Sequence, residues 1–189
     1  LAHEGEGNKT YLLFTNSQVQ EIPSCKPIEI QPFPDIENDI QLVLISPKNW
    51  IDQAERLQKQ REKEGILGVI WDLESVYAHF SGGLPDPTAI RNVARWYWNK
   101  RPESFKYLLL MGDATYDYKN HLQFPSLPPF VPTYQSRESY EPIYSYSSDD
   151  YFGFLEEGEG EWLEGSRING NWFSFPQSNH TLDIGVGRL

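Results

Sequence analysis

The stretch QLVLISPKNWIDQAERLQKQREKEGILGVIW, residues 41–71, decides the fold. Its opening Leu42-Val43-Leu44-Ile45 is a continuous apolar run, the pattern of a strand buried on both faces. A helix is expected at once. Ser46 can cap it, Pro47 suits its first turn, Trp50, Ala54 and Leu57 recur at helical spacing, and Gly65 ends it by tolerating a left-handed backbone. Ile66 to Trp71 reads as the next strand. After the Ser81-Gly82-Gly83 break a second unit follows, with Asp86 as cap, Pro87 in the first turn, and Ile90, Val93, Ala94 and Tyr97 along one face. Its strand is Tyr107 to Met111. Strands alternating with helices of this length imply right-handed crossovers, hence an α/β fold in which a mainly parallel sheet is sandwiched between two helical layers. The three strands are expected to be parallel neighbours.

Residues 1–40 differ in character. Short extended pieces, Tyr11 to Thr15 and Ile28-Glu29-Ile30, are separated by Pro23, Pro27, Pro32 and Pro34, which reads as a β-rich flank preceding the α/β unit of residues 41–189. Beyond Asp113 the periodicity dissolves into a Pro- and Tyr-rich stretch through Tyr146, too long for an ordinary connection and therefore a place to look for function. Two more short strands are expected, around Tyr151 to Leu155 and Leu182 to Val186.

Composition narrows the function. The chain carries 27 acidic against 16 basic residues, a formal charge of -11, which opposes binding to a phosphate backbone and excludes nucleic acid as a partner. With 39% hydrophobic residues it can bury one good core, and no apolar run reaches the roughly 20 residues of a membrane span. It begins with Leu1 and shows no charged-then-apolar signal pattern, which reads as an excised piece. A single cysteine, Cys25, excludes an internal disulfide and a cysteine-rich zinc site.

Four aspartates stand out. In open parallel sheets ligands gather at the carboxyl ends of the strands, which is where Gly112-Asp113-Ala114-Thr115-Tyr116-Asp117 falls. Asp113 and Asp117 read first as turn caps, with a ligand role as the alternative. Asp149 and Asp150 open a region from Glu138 to Glu164 with nine carboxylates and no Lys or Arg. That region reads first as a solvated acidic hairpin; the alternative is a Ca²⁺ site in which Asp113, Asp117, Asp149 and Asp150 converge, their repulsion relieved by backbone donors, an Arg or the cation. Tyr134, Tyr140, Tyr144, Tyr146 and Tyr151 cover a core edge or form an aromatic binding wall. Neither Cys25, which precedes the α/β unit, nor His3, His79, His121 and His180, which show no metal-ligand spacing and are never followed by Gly, reads as catalytic.

Six segments in order resemble the gingipain family of cysteine peptidases, in particular its PorU-type sortase branch. They are Ala54-Glu55-Arg56-Leu57, Asp86 to Asn92, Tyr107 to Asp117, Val131-Pro132-Thr133-Tyr134-Gln135-Ser136, Ser148 to Gly153, and Leu182-Asp183-Ile184-Gly185-Val186-Gly187-Arg188. The resemblance covers about residues 41–189 and implies a caspase-like α/β fold in two subdomains, with the His-Gly and the Cys nucleophile late in the second. No catalytic residue is carried onto this sequence by it. The implied role is that of a first subdomain which scaffolds the site. The implied partners are a polypeptide substrate, the second subdomain of the parent and secretion-system components. The branch removes C-terminal secretion signals, which implies a parent at the cell surface, outer-membrane-associated or periplasmic, in a Gram-negative bacterium. A non-catalytic, peptidase-like binding module of the secretion assembly is the competing reading. A flavodoxin-like nucleotide domain is disfavoured, because no Gly-rich phosphate loop follows the first strand.

Overall fold

The structure is a computed structural model, and it describes residues 15, 27, 29–33, 39–115, 117–123, 130–135, 145–156, 159 and 181–189. The expected strand at Tyr11 to Thr15 lies almost wholly outside these residues, as do Cys25, Ile28, Tyr140, Tyr144, His3 and His180.

Four parallel strands form the central sheet: β1 (Leu42–Ser46), β2 (Gly68–Asp72), β3 (Tyr107–Leu110) and β8 (Gly185–Arg188), in the order β2-β1-β3-β8. Register pairs Leu42 with both Gly68 and Tyr107, and Tyr107 in turn with Gly185. The expected parallel set of three strands is therefore present, with β1 at its centre. Successive side chains on a strand point to opposite faces, and the apolar runs split accordingly. Val43, Ile45, Trp71, Leu108 and Leu110 pack with Val76, Tyr77, Ile90, Val93 and Tyr97 of α2 (Leu73–Phe80) and α3 (Pro87–Lys100). Leu42 and Leu44 turn the other way, onto Ala54 and Leu57 of α1 (Ile51–Lys63). Helices thus cover both faces, and the sheet is the middle layer of an α/β sandwich.

Local sequence explains most boundaries and corrects some expected ones. Asp86 caps α3 by accepting from the Thr88 N–H at 2.8 Å, with Pro87 in the first turn. Gly65 leaves α1 in the left-handed region, φ +85°. Ser46, however, is no cap: it is the buried end of β1, its hydroxyl donates to the Pro47 carbonyl, and a 3₁₀ turn over Lys48–Trp50 delays α1 to Ile51. Helix α2 is an addition to the expected elements. Asp72 caps it by accepting from the Ser75 N–H at 2.9 Å, and Leu73, Val76, Tyr77 and Phe80 carry the helical spacing that betrays it.

The segment Tyr151 to Leu155 is not a strand. A 3₁₀ turn over Asp150–Gly153 takes its place, with the Asp150 N–H on Ser148 Oγ at its start and Tyr151 and Phe152 both buried. A β-carbon on Gly153 would stand 2.9 Å from the Leu182 side chain and 3.2 Å from the Ile184 carbonyl, so the turn sits directly on the approach to β8. That strand runs a few residues later than expected, with Leu182 exposed outside it. Between β3 and β8 lie β4 (Asp113–Thr115) paired parallel with β5 (Phe130–Pro132), and β6 (Tyr134–Gln135) paired antiparallel with β7 (Ser147–Ser148).

Candidate functional site

Parallel strands deliver their carboxyl ends to one edge, and here the ends of β1, β3 and β8 are laced together there. Met111 N–H donates to Ile45 O, Leu189 N–H to Leu110 O, and Gly112 N–H to Leu189 O. Gly112 turns the chain out of β3 with φ +138°, the tight exit that its position suggests.

The centre of this edge is Arg188. Its Nε and one Nη each donate at 2.7 Å to the two carboxylate oxygens of Asp149, the bidentate fork that suits a planar guanidinium. The other donors go to the carbonyls of Gly112 at 3.0 Å, Val131 at 2.9 Å and Pro132 at 3.4 Å. One side chain thereby joins the exit of β3, strand β5 and the start of the 3₁₀ turn. Asp149 accepts a further bond from the Thr133 hydroxyl at 3.0 Å. With its N–H groups spent on protein acceptors, Arg188 acts as a rivet and has no donor to offer a substrate.

The four aspartates distribute unevenly over this edge. The segments of Asp113 and Asp149 do meet at it, where Arg188 bonds both the Gly112 carbonyl and the Asp149 carboxylate. Asp117 accepts from the N–H groups of His121 at 2.9 Å and Leu122 at 3.0 Å, which is turn capping. Asp150 opens the 3₁₀ turn with its N–H on Ser148 Oγ, and both it and Asp113 are exposed. Among the described residues no group of three or more His, Cys, Asp or Glu side chains that could hold a metal ion is found. Arg188 supplies a positive charge to Asp149, and the backbone supplies donors to Asp117.

Sequence reasoning passes over a second arginine. Arg91 on α3 is buried and donates at 2.7 Å to the carbonyls of Phe154 and Glu159, with its guanidinium 5.5 Å from the centre of the Tyr151 ring. Burial lowers its pKa, opposed by the neighbouring Tyr151, Glu159 and Asp183. Glu159 is itself buried, and its carboxyl is pushed up by desolvation and by Asp183, although it accepts the Glu156 N–H. Tyr151 stacks on Tyr134 at 4.6 Å, which makes those two tyrosines core-edge packing; burial raises Tyr134 to about 12. An apolar residue pattern around Arg91, on the inward face of α3, is the available signal for a buried charge.

None of this assembles a nucleophile and base. His79 bonds the Gln31 carbonyl, and His121 sits in the exposed Asp117 turn.

The sequence profile of "Peptidase family C25" matches residues 35–189, most of the chain and all of the elements above. The chain belongs to peptidase family C25. This is the gingipain family of cysteine peptidases, as the motif order implied. Among solved structures, the crystal structure of dimeric latent PorU from Porphyromonas gingivalis is similar, with a TM-score of 0.57 and 28% identity over 78% of this chain. The chain spans only 14% of that PorU chain. No curated protein matches it. The C25 assignment agrees with a mainly parallel sheet flanked by helices, and no described helix is long and apolar enough to cross a membrane.

Proposed function

We propose that residues 41–189 are the first subdomain of a PorU-type sortase, following a β-rich flank, and that they scaffold a catalytic His and Cys carried by a second subdomain of the parent. In that parent a thiolate attacks a peptide carbonyl, with the His as acid and base, and the acyl group passes to water or an acceptor. The substrate class is the C-terminal signal of exported polypeptides, the partners are components of the secretion machinery, and the location is the outer surface or periplasm of a Gram-negative bacterium. The observation that carries the reading is the C25 match over residues 35–189 together with the likeness to PorU.

The chain alone is expected to cleave no peptide. Its one thiol is Cys25, and none of its four histidines precedes a Gly. The test compares the 189-residue chain, its Cys25→Ala variant and the full parent on Arg-, Lys- and small-residue fluorogenic peptides. Turnover by the parent only is the expected result. Turnover by the short chain that vanishes in Cys25→Ala would overturn the scaffold role, and an inert parent would favour a non-catalytic binding module.

A further inference from the structure

The segment just ahead of the sheet makes a set of contacts that the peptidase chemistry does not require. Strand β2 is an edge strand, so Ile70 O and Asp72 N–H, which point away from β1, meet no strand partner among the described residues. The side chain of Gln31 takes that place: its Nε2 donates to Ile70 O at 2.9 Å and its Oε1 accepts from Asp72 N–H at 3.3 Å. A carboxamide presents a donor and an acceptor side by side, which is what one residue of a neighbouring strand would offer.

The main chain of Gln31 is read as well. Its N–H donates to the hydroxyl of Ser75, a residue with 0% exposure, at 2.7 Å, and its carbonyl bonds His79 Nε2 at 2.8 Å. Every polar group of Gln31 is therefore matched by β2 or α2. Two residues on, the ring of Phe33 lies among His79 at 4.5 Å, Trp96 at 4.9 Å, Trp71 at 5.4 Å and Phe80 at 5.6 Å. Trp71 is held in place from below by its Nε1–H on the Tyr97 hydroxyl at 3.1 Å. Pro32, between the two contact residues, fixes its own φ and keeps the segment extended, which lowers the entropy lost on docking.

We propose that the free edge of β2 and this aromatic cradle form a docking site for an extended Gln-Pro-aromatic segment, filled in cis by Gln31–Phe33, which fastens the region preceding the sheet to the peptidase fold. The site is independent of whether the parent acts as a sortase. It also blunts an edge that would otherwise invite pairing with another chain.

Hydrogen exchange on the full 189-residue chain tests it. Gln31→Ala and Phe33→Ala are each expected to speed exchange of the Asp72 amide and of the residue 31 amide by about tenfold, as loss of one or two hydrogen bonds implies. The amides of Leu44 and Leu108 should keep their wild-type rates, which separates undocking from unfolding. Wild-type protection should not change with protein concentration. Unchanged Asp72 exchange in both variants would overturn the docking site, and protection that rises with concentration would overturn occupancy in cis and assign the segment to a second copy.

Discussion

The stretch from Asp149 to Glu159 is held at its two ends by arginines in opposite electrostatic situations. At the near end Arg188 meets a carboxylate through a bidentate pair, both side chains keeping some access to water at 16% and 25% exposure. At the far end Arg91 meets two carbonyls and a ring and is more deeply buried, with its pKa lowered by desolvation. The first arrangement compensates charge with charge. The second satisfies hydrogen bonds while leaving most of the desolvation cost in place, with Glu159 and Asp183 as more distant counter-charges. The two arginines therefore differ in kind as well as in number of bonds, five for Arg188 against two for Arg91.

Substituting each arginine by Met puts that difference on a scale. Arg188→Met strands the Asp149 carboxylate and removes the donors from three carbonyls, and is expected to cost about 2–3 kcal/mol, less than breaking a fully buried pair because water reaches Asp149. Arg91→Met removes two bonds but also a desolvated charge, and is expected to cost only about 1 kcal/mol. Urea unfolding of both variants checks the order. Equal losses would break the comparison.

A finer test uses pH at the far end. Glu159 has its folded pKa raised above the ordinary glutamate value, first by burial, with Asp183 and Glu156 adding to it. The folded state then holds more protons than the unfolded state between those two values. Stability from this group is fully present below the ordinary value, falls as pH rises through the window and levels off above the folded pKa. Glu159→Gln keeps an acceptor for the Glu156 N–H and cannot ionise. Melting temperatures of the two proteins should diverge in favour of the Glu159→Gln variant as pH climbs through that window, by less than either arginine effect. Parallel curves would mean that the carboxyl is not desolvated.

The fold is legible in the sequence where packing follows period. Residues 41–71 and 86–111 announce strands and helices because their apolar positions match either a doubly buried strand or one helix face. The C25 resemblance is legible because six motifs occur in order, three of them beginning within those segments and three beyond them, at residues 131–136, 148–153 and 182–188. Helix α2 is equally encoded, by Asp72 and the spacing of Leu73, Val76, Tyr77 and Phe80, but the Ser81-Gly82-Gly83 break draws the eye to a boundary instead. The site is harder. Nothing in the sequence ties Asp149 to the arginine that pairs with it, because Arg188 is 39 positions away. Gln31 gives no signal at all, since an amide in a proline-rich flank matches a strand edge only once β2 is known to lie at the edge.

Two of the four residues of β8 are glycine, so this strand brings little apolar surface to the sheet and depends on its ladder with β3 and on its terminal Arg188. Its partner lies far upstream, whereas β1, α1 and β2 follow one another closely. Closing the longer loop is entropically dearer, and contacts near in sequence form sooner. We expect β8 to join an already assembled β2-β1-β3 core as the last strand, its guanidinium locking after the rate-limiting barrier. Arg188→Met should then raise the rate of unfolding and leave the refolding arm of a chevron plot where it was; a slowed refolding arm would place the lock within the folding nucleus.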